Sequence, residues 1–148
     1  MKSILLTITA AFLSTFVQGQ DIKIDIDSSF FNKKTGNVYY SDATGAKMNV
    51  ILLPISYDNS LKSVQNQSNK DIRIIEKGEF KHNGGNRIYF KKGDGIRNDK
   101  NENEMMLVFL IENSTNQSIM ISVLYKPEYD KLVAEQVDRI VRSIKPIY

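Results

Sequence analysis

The residues best equipped for chemistry lie between Gly93 and Glu104, in the stretch GDGIRNDKNENE. Side-chain oxygens at alternate positions are the ligand pattern of a calcium loop. Such a loop also needs a glycine at its sixth position and a bidentate glutamate at its twelfth. Counted from Asp99, the alternation runs through Asn101 and Asn103, but the sixth residue is Glu104 and the twelfth is Leu110, inside an apolar run. Counted from Asp94, the cations Arg97 and Lys100 fall among the early positions and repel a dication. The segment therefore reads as a mobile, solvated loop. Its carboxylates Asp94, Asp99, Glu102 and Glu104 leave room only for weak association, in the range of roughly 10⁻⁴ to 10⁻³ M.

Other reactive patterns have structural explanations. His82 is the only histidine, and it precedes the turn pair Asn83-Gly84. A catalytic imidazole needs a positioned nucleophile or acid, and none lies nearby in the chain, so His82 reads as an exposed hairpin residue. The chain has no cysteine, which removes thiol catalysis and thiolate metal sites. The acidic pairs Glu102 with Glu104 and Glu128 with Asp130 fall in a solvated loop and at a helix start. Gly84-Gly85 and Gly93-Asp94-Gly95 do not precede helices, so neither forms a phosphate cradle. No catalytic residue, metal or cofactor is expected. The tyrosines Tyr39, Tyr40, Tyr57, Tyr89 and Tyr125 remain. They serve either as core and cross-strand pairs or as a surface for a protein partner or small apolar ligand.

At the N-terminus, MKSILLTITAAFLSTFVQGQ has a charged start at Lys2, an apolar run from Ile4 to Phe16, and small Gly19. This is the pattern of a secretory signal peptide cleaved after Gly19. The run is too short and too rich in hydroxyls for a stable span, which takes roughly 20 apolar residues. A secreted or periplasmic protein of residues 20–148 is expected, without stable membrane insertion. Its size suits one domain. Without disulfides, its apolar core must suffice. The full chain carries a formal charge of +3, and its basic residues are dispersed, so nucleic acid is not an expected partner.

The elements follow from periodicity. DIKIDID (Asp21 to Asp27) alternates as a half-buried strand, and a short strand is expected at Val38 to Tyr40. Lys47 to Tyr57 is apolar on both faces and belongs inside the sheet, ending near Pro54. Ser60 is expected to cap a short helix carrying Leu61 and Val64 inward. Asp71 to Gly95 divides into two strands around Asn83-Gly84, with a possible bulge at Gly78. The runs Met105 to Ile111 and Ile119 to Tyr125 form a hairpin covered on both faces. Tyr129, Leu132, Val133, Val137, Ile140, Val141 and Ile144 make one apolar stripe on a C-terminal helix. Pro127 begins that helix and Pro146 stops it. Acids at its start and bases at its end complement its dipole.

This order closes with SVLYKPEYDKLVAEQVDRIVRSIK, in which the strand Ile119 to Tyr125, Pro127, and IVRSIK at Ile140 to Lys145 stand out. It resembles the PsbP-like superfamily, which includes the extrinsic PsbP protein of photosystem II and exported bacterial proteins. The resemblance implies an α+β fold, an antiparallel β-sheet flanked by helices, with the C-terminal amphipathic helix packed on the sheet. It implies a non-enzymatic binding or assembly protein and no shared catalytic residues. Photosynthetic function is not carried over, since there is neither a plastid transit peptide nor a residue set to transfer. The alternatives are a secreted hydrolase with a site assembled from distant residues, or a carrier of a small apolar ligand.

Overall fold

The computed structural model describes residues 24–67, 72–82 and 85–145. Seven strands form one sheet: β1 (Lys33–Thr35), β2 (Val38–Tyr40), β3 (Lys47–Leu53), β4 (Arg73–Lys81), β5 (Arg87–Arg97), β6 (Asn103–Glu112) and β7 (Ser118–Tyr125). Helix α1 (Tyr57–Asn66) follows β3, and helix α2 (Asp130–Ser143) follows β7 through a single 3-10 turn at Pro127–Tyr129. The spatial order is β1-β2-β3-β7-β6-β5-β4, and every neighbouring pair is antiparallel. This is the expected α+β architecture.

Alternation along each strand sorts the apolar residues into two layers. Met48, Val50 and Leu52 of β3 lie with Leu107 and Phe109 of β6 and Ile119, Ile121 and Val123 of β7. Val133, Val137, Ile140, Val141 and Ile144 of the α2 segment close this layer. On the opposite face, Ile51, Leu53, Tyr89, Met106, Val108, Leu110 and Met120 pack with Tyr57 and Val64 of α1. The strands with unbroken apolar runs, β6 and β7, occupy the middle because both of their faces are covered.

Several local expectations are revised. The alternation in Asp21 to Asp27 does reflect burial, because Ile24 and Ile26 lie against the α2-side layer. Residues 24–27 nevertheless join no ladder. Instead the Asp25 N–H donates to Ser143 Oγ at 2.9 Å, tying this segment to the end of α2. Helix α1 is capped by Ser56, whose side chain accepts from the Asn59 N–H. Ser60 is a buried residue inside the helix, sharing a hydrogen bond with Ser118 Oγ at 2.9 Å. The β4–β5 register shifts between Ile74 and Glu76, not at Gly78. Gly78 lies in regular register opposite Phe90, and an added Cβ there would come within 3.0 Å of the Phe90 ring. Its glycine is explained by that close approach. Leu132 leaves the stripe and stands 43% exposed. Asp21 to Lys23, the signal segment, Asn83-Gly84 and Pro146 lie outside the described residues.

The Gly93 to Glu104 stretch is mostly strand. β5 continues to Arg97 and β6 begins at Asn103, so only Asn98 to Glu102 connects them. The Asn98 side chain organises that turn. Its Oδ1 accepts from the Lys100 and Glu102 N–H groups, each at 2.9 Å, and its amide donates to Glu104 Oε1 at 3.1 Å. Asn101 takes a left-handed φ of 57°, a conformation that asparagine tolerates. An asparagine-centred turn thus replaces the long loop.

Candidate functional site

Beginning at the first turn of α1, Arg87 at the head of β5 reaches two carboxylates. Its guanidinium donates to Asp58 at 2.9 and 3.2 Å and to Glu112 Oε2 at 2.8 and 3.1 Å. It also stacks over the Tyr57 ring, 4.6 Å from the centroid. The planar fork suits bidentate carboxylate pairing and ring stacking together. Hydrogen bonds from Arg87 hold the Asp58 carboxyl below its ordinary range. The Tyr57 hydroxyl is buried without a hydrogen bond. Burial, reinforced by the charge of Glu79, pushes its ionisation well above that of free tyrosine. Here two acids meet on one cation and fix α1 to the sheet. This is not the arrangement of a hydrolytic pair separated by water.

A second cation, Lys91, lies buried under the far end of α1. Its ammonium donates to the Val64 carbonyl at 3.0 Å. Helix α1 has no basic residue in its own last turn, so Lys91 places a positive charge at the negative end of the helix dipole. Burial lowers its proton affinity. On the other face of β5, Lys92 donates to Asp130 Oδ2 at 2.6 Å, and the Tyr125 hydroxyl donates to Asp130 Oδ1 at 2.6 Å. Burial and this carboxylate push Tyr125 ionisation far up. Asp130, expected as a dipole partner at a helix start, therefore also binds α2 to two strands. Asp94, counted above as a calcium-loop candidate, is paired with Arg73 across the β4–β5 ladder.

His82 sits at the end of β4. Its N–H donates to the Asn86 carbonyl at 3.1 Å, and its own carbonyl accepts from the Gly85 N–H at 2.7 Å. It is half-buried, with a buried Nδ1 that has no hydrogen-bond partner. Asn86 opposite is fully buried, and neither of its amide atoms is bonded. Among the described residues, no hydroxyl or carboxylate is bonded to the imidazole in the way a catalytic histidine needs. Among the described residues, no group of three or more His, Asp or Glu is arranged to hold a metal ion.

The five tyrosines do not share a surface. Tyr57 and Tyr125 are 1% exposed and Tyr89 is 6% exposed, all inside the two layers. Only Tyr39 and Tyr40 reach solvent, half-buried on opposite faces of β2. Tyr39 lies under the Lys34 ammonium, 5.2 Å from the ring centroid. Tyr40 pairs with Lys33 on one side and Lys47 on the other. The candidate surface thus contracts to a basic and aromatic margin along β1 and β2.

The sequence carries a further signal in β4. Ile74 and Ile75 are adjacent in RIIE, where a register shift breaks the alternation of β4. On a terminal strand neither face is fully covered, and they stand 43% and 46% exposed. Arg87 gave no such signal, because Asp58 and Glu112 are distant from it in the chain.

No family model and no curated protein sequence matches this chain. Among solved structures it is similar to the solution structure of cyanobacterial PsbP (CyanoP) from Synechocystis sp. PCC 6803, with 14% identity and a TM-score of 0.49. The match covers 89% of this chain and 79% of that one. Among the described residues, no helix is long and apolar enough to cross a membrane.

Proposed function

We propose that the chain is an exported, non-enzymatic binding or assembly protein of one domain, residues 20–148, and that it meets its partner through the margin bearing Tyr39 and Tyr40. The supporting observation is how its polar side chains are used. Arg87, Lys91, Lys92, Asp58, Asp94, Asp130 and Glu112 join elements of the fold to one another. Tyr39 packs partly against the α2-side core, and Tyr40, paired with Lys33 and Lys47, is half-exposed on the other face of β2. Tyrosine is enriched at protein-binding surfaces, and the flanking lysines suit the polar rim of such a surface.

The test uses the secreted, processed protein, first identified by an intact mass lacking the first nineteen residues. A photo-crosslinking amino acid placed at position 40 should yield a discrete adduct from the envelope or culture medium. Lys47→Glu, at an exposed position opposite Tyr40, should abolish that adduct while leaving the thermal melt unchanged. Turnover of ester, peptide or glycoside substrates that disappears in His82→Ala would overturn the proposal in favour of a hydrolase.

A further inference from the structure

β4 is the last strand of the sheet, and among the described residues no strand covers its outer edge. Nine residues long, it spans roughly 30 Å. Long terminal strands invite pairing unless bulges or charges prevent it. Here the register shift is confined to one end, between Ile74 and Glu76, and Glu76 to Lys81 remains regular. Ile74 and Ile75 are two of the three large apolar residues exposed among the described residues.

From this edge we infer that β4 pairs antiparallel with β4 of a second copy of this chain, about a two-fold axis at Gly78. The symmetry sets strict limits. An isologous antiparallel pair keeps each face of the sheet continuous, so one residue must face itself across the axis. Centring on Glu76, Lys77 or Glu79 sets identical charges against each other, which is destabilising. Centring on Phe80 leaves only the tail of the strand paired.

Centring on Gly78 avoids every like-charge pair in the regular segment. Lys77 then faces Glu79 of the other copy, and Glu79 faces its Lys77. Glu76 lies opposite Phe80, and the bulge residue Ile75 falls beside the aliphatic stem of the other copy's Lys81. Gly78 puts no side chain at the crowded axis, and Lys77 and Glu79 are exposed in the single chain. The seven-stranded sheet becomes continuous across two copies.

The test is the mass of the processed protein by sedimentation equilibrium, with charge reversals at two exposed residues. Wild type should be dimeric. By symmetry, Lys77→Glu turns two attractive pairs into two repulsive ones, so it should raise the dissociation constant by at least about tenfold. Glu79→Lys should do the same, and the double variant Lys77→Glu/Glu79→Lys should restore dimerisation. Circular dichroism melts report whether each variant is folded. A monomeric wild type would overturn the inference, as expected if the edge takes a strand from a different protein. Dimers indifferent to either reversal, or a double variant that remains monomeric, would also overturn it.

Discussion

Arg87 and Lys91 project from the same face of β5, yet their charges have opposite settings. Arg87 keeps two carboxylates and a ring within contact, and the hydrogen bonds it donates to Asp58 and Glu112 strengthen its hold on its proton. Lys91 is buried with a single carbonyl partner, and its pKa falls below 10.5 through loss of solvation. The sign of the consequence follows. Between the lowered native pKa and 10.5, the unfolded chain binds more protons, so the Lys91 contribution to stability rises with pH. The raised ionisation of Tyr57 and Tyr125 acts in the other direction, since the unfolded phenols begin to lose protons near pH 10 while the native ones do not. Comparing wild type with Lys91→Met cancels the tyrosine contribution. The expected result is a difference in unfolding free energy that shifts toward wild type as pH rises to 10.5 and then levels off. Urea unfolding at stepped pH measures it. A constant difference would mean that Lys91 is solvated in the native protein.

Helix α2 makes the element-scale prediction sharp, because it carries a sealed residue and an exposed one of similar hydrophobicity. Ile140 is 2% exposed, against 43% for Leu132. Ile140→Asp places an unpaired carboxylate among Val137, Val141 and strand residues, and should cost about 4 kcal/mol. Leu132→Lys should stay within about 0.5 kcal/mol of wild type. Thermal melts of both decide whether α2 docks by this face, and equal losses would refute it. The contrast also shows what periodicity can deliver. The helix and the inward placement of six of its seven stripe residues were legible, because a 3.6-residue repeat reports one buried face, whereas Pro127 begins a 3-10 turn and the helix itself starts at Asp130. Leu132 was misassigned because it lies on the flank of that face, where only the neighbouring layer decides burial. β3, β6 and β7 were legible from unbroken apolar runs. The turn at Asn98 was not, because polar composition looks alike in a solvated loop and in the end of a terminal ladder. The fate of the tyrosines was least legible of all. Alternation gives two faces, but not which face a helix covers, and α1 and α2 close over Tyr57, Tyr89 and Tyr125 through contacts made far along the chain.

For the whole molecule, the strand order predicts a gradient of local stability. β3, β7 and β6 are interior and covered on both faces, while β1 is three exposed residues and β4 pairs with one strand only among the described residues. Amide hydrogen exchange at high dilution should be slowest in β7 and β3, and faster in β4 and β1, since opening energies follow burial and ladder position. Slower exchange in β4 than in β7 under those conditions would contradict the topology. The same order bears on the proposed export. Leu53 of β3 pairs with Ser118 of β7, and helix α1 carries the chain to the far edge before four strands return. A polypeptide leaving a secretion channel N-terminus first therefore delivers β3 long before its mate. The first three strands wait with an open flank until β7 emerges, and the α2-side layer waits for the last helix. Under the proposed export, the sheet therefore closes only after β7 has emerged, and the α2-side layer only after the last helix.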